Sequence, residues 1–167
     1  MQIHPSKSGK CSTLLICYLI MAPAQGLDTD KDQVIEYVSG DVKMQNDGNS
    51  RIIVLNENVK VTQGTLQISG DSATFEYDLS TNDLKNIAVS GSPARYQQQL
   101  NDDGLVEGES ETIHYYVNPE TIVEFLGDAN LRQPGTTTNC VAIKYFTETE
   151  LFETTGPCSG VLSNQTN

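Results

Sequence analysis

The side chains able to do chemistry are few and scattered. Glu107, Glu109 and Glu111 alternate along one stretch, Asp102 and Asp103 are adjacent, and the cysteines are Cys11, Cys17, Cys140 and Cys158. Alternate carboxylates could bind a cation, or divide the acid and base roles of a glycosidase. On a strand, alternation puts all three glutamates on one face, and the plainer reading is a solvated outer face. Asp102-Asp103 lies in Asn101-Asp102-Asp103-Gly104, the composition of a solvated turn tip. His114 stands between Ile113 and Tyr115, so it points away from their face. A hydrolase built on it lacks a base partner. A zinc site lacks ligands, since no Cys-X-X-Cys spacing occurs. The sequence has no nucleophile elbow, Gly-rich phosphate loop or His-Glu-X-X-His. A paired-carboxylate glycosidase stays open on sequence alone; otherwise the residues point to no enzyme, metal or cofactor.

The elements around these residues are more informative. Lys7 and Lys10, then the apolar run Cys11–Met21, then Ala22-Pro23-Ala24 read as a signal peptide over residues 1–24, cleaved before Gln25. The apolar run is about half the ~20 residues that a spanning helix needs. Removing the leader leaves Cys140 and Cys158, an even pair in an oxidising compartment. The formal charge of the chain is -12. A surface this acidic repels phosphodiester backbones and anionic membranes, which excludes nucleic acid as a partner.

Beyond residue 30 the pattern is short hydrophobic alternation, as in Val59-Lys60-Val61-Thr62, Leu66-Gln67-Ile68-Ser69, Ala73-Thr74-Phe75-Glu76-Tyr77 and Val141-Ala142-Ile143-Lys144-Tyr145. Turn-forming residues separate the runs: Asn46-Asp47-Gly48-Asn49, Gly64, Gly70-Asp71, Gly91-Ser92-Pro93, Gly127-Asp128 and Pro134-Gly135. The expectation is an all-β chain of about a dozen or more short strands joined by tight turns. Asn58 to Gly64 is echoed by Asp128 to Gly135: each is an alternating strand ending in Gln before a glycine turn. Such strand pairs stack as layers that bury apolar surface only against their neighbours. Many inward residues are small, including Val59, Val61, Ala73, Ala94, Ala129 and Val141. They leave two outcomes open, an ordinary sandwich core or a partly open apolar trough suited to acyl chains.

Four segments resemble the LptA/OstA-type lipopolysaccharide-transport family in order and spacing. They are Asn58 to Ile68, Gly91-Ser92-Pro93-Ala94-Arg95-Tyr96, Val106-Glu107-Gly108 with Ile113-His114-Tyr115, and Gly127 to Gln133. The resemblance covers about residues 28–155. It implies stacked antiparallel strands forming a V-shaped, partly open β-jellyroll over residues 25–158, with a flexible tail at 159–167. It implies a non-enzymatic periplasmic carrier that takes lipopolysaccharide from the inner-membrane complex to the outer-membrane translocon. The lipid A acyl chains would lie along a groove lined by Val59, Val61, Leu66, Ile68, Ala73, Phe75, Tyr77, Tyr96, Ile113, Tyr115, Val123, Phe125, Ala129, Leu131, Val141 and Ile143. An LptC-like protein would add to the N-terminal edge around Val34, Ile35 and Tyr37. An LptD-like protein would add to the C-terminal edge, and copies would stack head to tail. The rival readings are a structural β-repeat protein of the envelope and an LptC-like component of the same pathway.

The cysteines follow from strand pairing. A turn at Thr147-Glu148-Thr149-Glu150, centred near residue 149, sets Cys140 opposite Cys158 on an antiparallel pair, within reach of a disulfide.

Overall fold

The computed structural model describes residues 30–101, 104–117 and 119–163. The leader lies outside these residues. Ten strands form one unclosed antiparallel sheet: β1 (Glu36–Val38), β2 (Asp41–Asp47), β3 (Ser50–Gln63), β4 (Leu66–Asp78), β5 (Leu84–Gln99), β6 (Leu105–Tyr116), β7 (Ile122–Gln133), β8 (Thr136–Phe146), β9 (Leu151–Thr155) and β10 (Ser159–Leu162). β3 to β8 follow one another as a meander. β1 and β2 both pair with β3 at one edge, and β9 and β10 both pair with β8 at the other.

Six strands are 11 to 16 residues long, so the strands are fewer and longer than the turn signals imply. Gly70-Asp71, Gly91-Ser92-Pro93 and Gly127-Asp128 are not turns. They are irregularities inside β4, β5 and β7, where the register shifts. Similar shifts occur at Glu57-Asn58 in β3 and between Glu109 and Thr112 in β6. Positive φ at Glu57, Asn58, Gly127 and Asp128 lets the chain bend there, and Asn, Asp and Gly tolerate that region best.

These irregularities lie in register across the sheet. On one side of them runs the paired row Asp41, Asn56, Ser72, Ser90, Thr112, Leu126, Ala142 and Thr155. On the other runs Val38, Lys60, Ser69, Arg95, Glu109, Asn130, Asn139 and Ser159. β1 and β2, and likewise β9 and β10, are the two parts of strands interrupted at the same line. The sheet is therefore creased, and its two half-sheets face each other. The first half-sheet carries β2 and β9; the second carries β1 and β10.

Alternation places one side of each half-sheet inward, and the inward residues form one buried cluster from Leu55 and Val59 to Ile143 and Tyr145. Rings meet across the fold: Tyr96 of the second half-sheet lies edge-on to Phe125 of the first, with centroids 5.6 Å apart. Gly108 makes this approach possible. A Cβ built there would run into the Phe125 ring.

One further expectation changes, and the expected disulfide forms by a shifted register. Residues 159–162, expected in a tail, form β10 on the β8 ladder, from Ser159↔Asn139 to Leu162↔Thr136. The ladder slips by one residue between Thr155 and Ser159, and Gly156 (φ 90) lies in the slip. Without that slip Cys140 would face Pro157; with it, Cys140 faces Cys158. The two are disulfide-bonded, with Cα atoms 4.3 Å apart.

Candidate functional site

The interior between the half-sheets is the candidate site. Of the residues expected to line a groove, Val59, Val61, Leu66, Ile68, Ala73, Phe75, Tyr96, Ile113, Tyr115, Val123, Phe125, Ala129, Leu131 and Ile143 all belong to the buried cluster. Tyr77 packs against it, half-buried. Val141 does not: it is 53% exposed. The crease takes up two residues between inward Cys140 and inward Ile143, so the parity of the strand flips and Val141 turns out. The expected lining also omits Leu55, Ile87, Val89, Leu100, Val106 and Tyr145, which share the cluster. The interior is packed on itself as a core.

Three tyrosine hydroxyls enter this apolar space. Burial pushes the Tyr115 hydroxyl up to about 12, with a smaller contribution from the charge of Asp30. Burial likewise raises Tyr96 and Tyr145 well above the ordinary range. All three are neutral donors at any physiological pH. Tyr96 donates to Gln98 Oε1 and Tyr115 to Gln63 Oε1 at 3.3 Å. Tyr145 finds no protein partner among the described residues.

At the free ends of the half-sheets, opposite the crease, the interior meets a polar rim. Asp30, Gln63, Gln98, Thr121 and Thr147 are buried there. Thr65 N–H and Oγ1 donate to the two oxygens of Asp30 at 2.9 and 2.6 Å, and Gln98 Nε2 donates to it at 2.9 Å. Gln63 Nε2 donates to the carbonyls of Lys31 and Gln33, each at 3.1 Å. Thr147 Oγ1 donates to the Thr121 carbonyl at 3.1 Å. None of these residues was singled out from sequence. The signal available was the glutamine that closes both echoed strands: Gln63 and Gln133 each donate to a backbone carbonyl of another segment, Gln133 to Glu150 at 3.5 Å.

The edges differ from the expectation at the N-terminal end. Tyr37 lies in β1, but Val34 and Ile35 precede it, and Ile35 packs against the core. The open edge is instead β1 with β2, and it exposes Tyr37, Val38, Val42 and Met44. At the opposite edge Leu151, Val161 and Leu162 are exposed. Among the described residues, both edges therefore combine unpaired main chain with apolar side chains.

The polar residues first considered for chemistry do not converge. Glu107 pairs with Arg132 at 3.2 Å and Glu109 with Arg95 at 2.9 Å, all well exposed on the outer surface. His114 stacks on Tyr116 with centroids 5.9 Å apart. Asp102 and Asp103 lie outside the described residues. Among the described residues, no three His, Cys, Asp or Glu side chains are grouped to hold a metal.

A family model described as LptA/(LptD N-terminal domain) LPS transport protein matches residues 28–151. Over 111 residues the chain is 30% identical to the lipopolysaccharide export system protein LptA of Escherichia coli strain K12, a match over 66% of this chain and 58% of that protein. Over 150 residues it is 24% identical to LptA of Haemophilus influenzae, covering 89% of this chain and 86% of that one. The crystal structure of LptH, the LptA homologous periplasmic component of the lipopolysaccharide transport device of Pseudomonas aeruginosa, superposes with a TM-score of 0.73 at 21% identity. That match covers 81% of this chain and 99% of LptH and establishes the fold, a jellyroll-like unclosed sheet. Since the family model spans most of the strands that build the creased sheet, the chain belongs to the LptA/LptD N-terminal-domain family of lipopolysaccharide transport proteins.

Proposed function

We propose that the chain is a periplasmic carrier that holds the acyl chains of lipopolysaccharide between its half-sheets and passes them on without covalent chemistry. One observation carries the reading. The apolar interior runs unbroken from β3 to β8, and both ends of the stack finish in unpaired edges. Burying acyl methylenes there gains about 0.8 kcal/mol each. Successive strands present similar aliphatic and aromatic surface, so no position holds the lipid much more tightly than the next. Such a path conducts without directing, and the drive must come from upstream.

On this reading the β1–β2 edge receives an LptC-like partner and the β9–β10 edge an LptD-like one, each by strand addition. The two edges also fit each other, which gives head-to-tail stacking of copies. Residues 1–24 act as the cleaved leader that delivers the chain to the periplasm. The test is a photo-crosslinking amino acid at Phe75 or Tyr115 in living cells, probed for lipopolysaccharide. A lipid adduct is the expected result. A folded, exported protein with no adduct at either position refutes the reading.

A further inference from the structure

The rim described above is closed by the chain itself. Residues 30–35 run along the free ends of the half-sheets before entering β1. Asp30, 4% exposed, is held by three hydrogen bonds from Thr65 and Gln98 of the second half-sheet. Gln63 grips the next turn of backbone through the Lys31 and Gln33 carbonyls. The same Gln63 accepts from Tyr115, which belongs to the first half-sheet, so the hydrogen-bonded chain spans the mouth from lip to lip. Under it lies a cavity of about 20 Å³ lined by Asp30, Gln98, Tyr115, Thr121 and Thr147, room for about one water. At the far end of the segment the Tyr37 ring meets Phe75, with centroids 6.4 Å apart.

We infer that residues 30–35 form a strap across the mouth, latched by Asp30, that must lift before a lipid can occupy the interior beneath it. The inference rests on the carrier reading and specifies its gate. Acyl tails lie inside and the polar head stays in water, because burying the head unpaired is costly. Tails and head are covalently joined, so the joint crosses the mouth wherever the lipid sits. A segment tied across the mouth bars that joint as a bolt bars a slot, whichever end the lipid came from. The latch suits the task. From Asp30 to Gln33 it consists of polar bonds at a rim, which water can replace once the strap lifts, and apolar packing enters only at Ile35 beside β1.

The exported chain carrying Asp30→Cys and Thr65→Cys, its native disulfide intact, supplies the test. The side chains at 30 and 65 are in hydrogen-bond contact, so in the oxidising compartment the two new thiols join as a second disulfide and clamp the strap. The exported chain carrying Asp30→Ala and Thr65→Ala is the unlatched form. Photo-labelling by purified lipopolysaccharide is read at two positions, Phe75 at the strap's far end and Phe152 of β9, which packs on the core from the opposite edge of the sheet. The expected result is about tenfold less labelling at Phe75 in the clamped form than in the unlatched form, the factor given by 1.4 kcal/mol of added opening cost. Labelling at Phe152 should be equal in the two forms. Equal labelling at Phe75 overturns the strap and leaves the carrier reading standing. No labelling at either position in any form, wild type included, overturns the carrier reading and the strap with it.

Discussion

Breaking the bond between Cys140 and Cys158 should weaken the whole domain, and the size of the effect can be worked out. The two residues are 18 apart in sequence. On the chain-entropy account, closing a loop of that length in the unfolded chain is worth roughly 3 kcal/mol at 25 °C. With an unfolding entropy of about 2.1 cal/mol/K per residue over the folded region, this corresponds to a fall in Tm of about 10 °C. The folded state loses little directly, since the β8–β9 and β8–β10 ladders exist without the bond. β10 is the element most exposed to the loss. Its four residues are all exposed, and it is held by main-chain pairing alone apart from the adjacent bridge. The assay is urea unfolding of the Cys140→Ala/Cys158→Ser protein beside wild type with and without reductant, with hydrogen exchange read on residues 159–162. Both the variant and the reduced wild type should lose roughly 3 kcal/mol, and amides of β10 should exchange first. A loss below about 1 kcal/mol in both would refute the reasoning, because the entropy term would then be absent.

Gly108→Ala should cost about 1–3 kcal/mol by overpacking, since the new methyl meets the fully buried Phe125 ring; thermal unfolding measures it, and an unchanged Tm would mean the half-sheets part readily at that point. Proline at Val42 and, separately, at Lys43 should split in effect. Adjacent edge residues send one N–H to β3 and the other outward. The variant that keeps wild-type stability should be the one that loses self-association in sedimentation, and association intact in both would place the contact elsewhere. Asp78 is depressed from 3.8 to about 2, chiefly by hydrogen bonds from the Ser80 hydroxyl and N–H. A depressed carboxylate contributes stability above its unfolded value, lost as pH falls through the folded one. The β4–β5 turn should therefore loosen between about pH 4 and pH 2, and carboxyl NMR titration of Asp78 with a midpoint near 4 would contradict it.

Strand alternation was legible in the sequence and marked most of the interior, because burial on one face of a half-sheet imposes a period of two. The crease was not. Gly70-Asp71 and Gly127-Asp128 carry the same backbone chemistry whether they reverse the chain or kink it, and only the partner strands decide between the two. Val141 failed for the same reason: the strand's parity is reset by residues absorbed in the bend, which alternation cannot count. Residues 159–162 have too little apolar pattern to announce a strand; Gly160-Val161-Leu162 gains its place from the β8 ladder and the neighbouring bridge. The rim glutamines were visible as a repeat, but a polar residue at a strand end reads as solvated until the opposite lip is known. The disulfide partners came from a register centred on the turn, while the observed contact also depends on the slip at Gly156.

Each of the six strands from β3 to β8 crosses the crease once, so the two half-sheets share a hinge with a pin in each of them. The angle between them cannot widen at one strand alone without tearing the ladders on either side, which couples all the pins into a single motion. A small rotation shared among the bends would enlarge the whole interior at once. The stiffest pins set the rest: the proline at position 93 in the middle and the covalent bridge at the last strand. Width is thus a property of the molecule as a whole, adjustable from any layer, and a change made at one end of the stack is felt at the other.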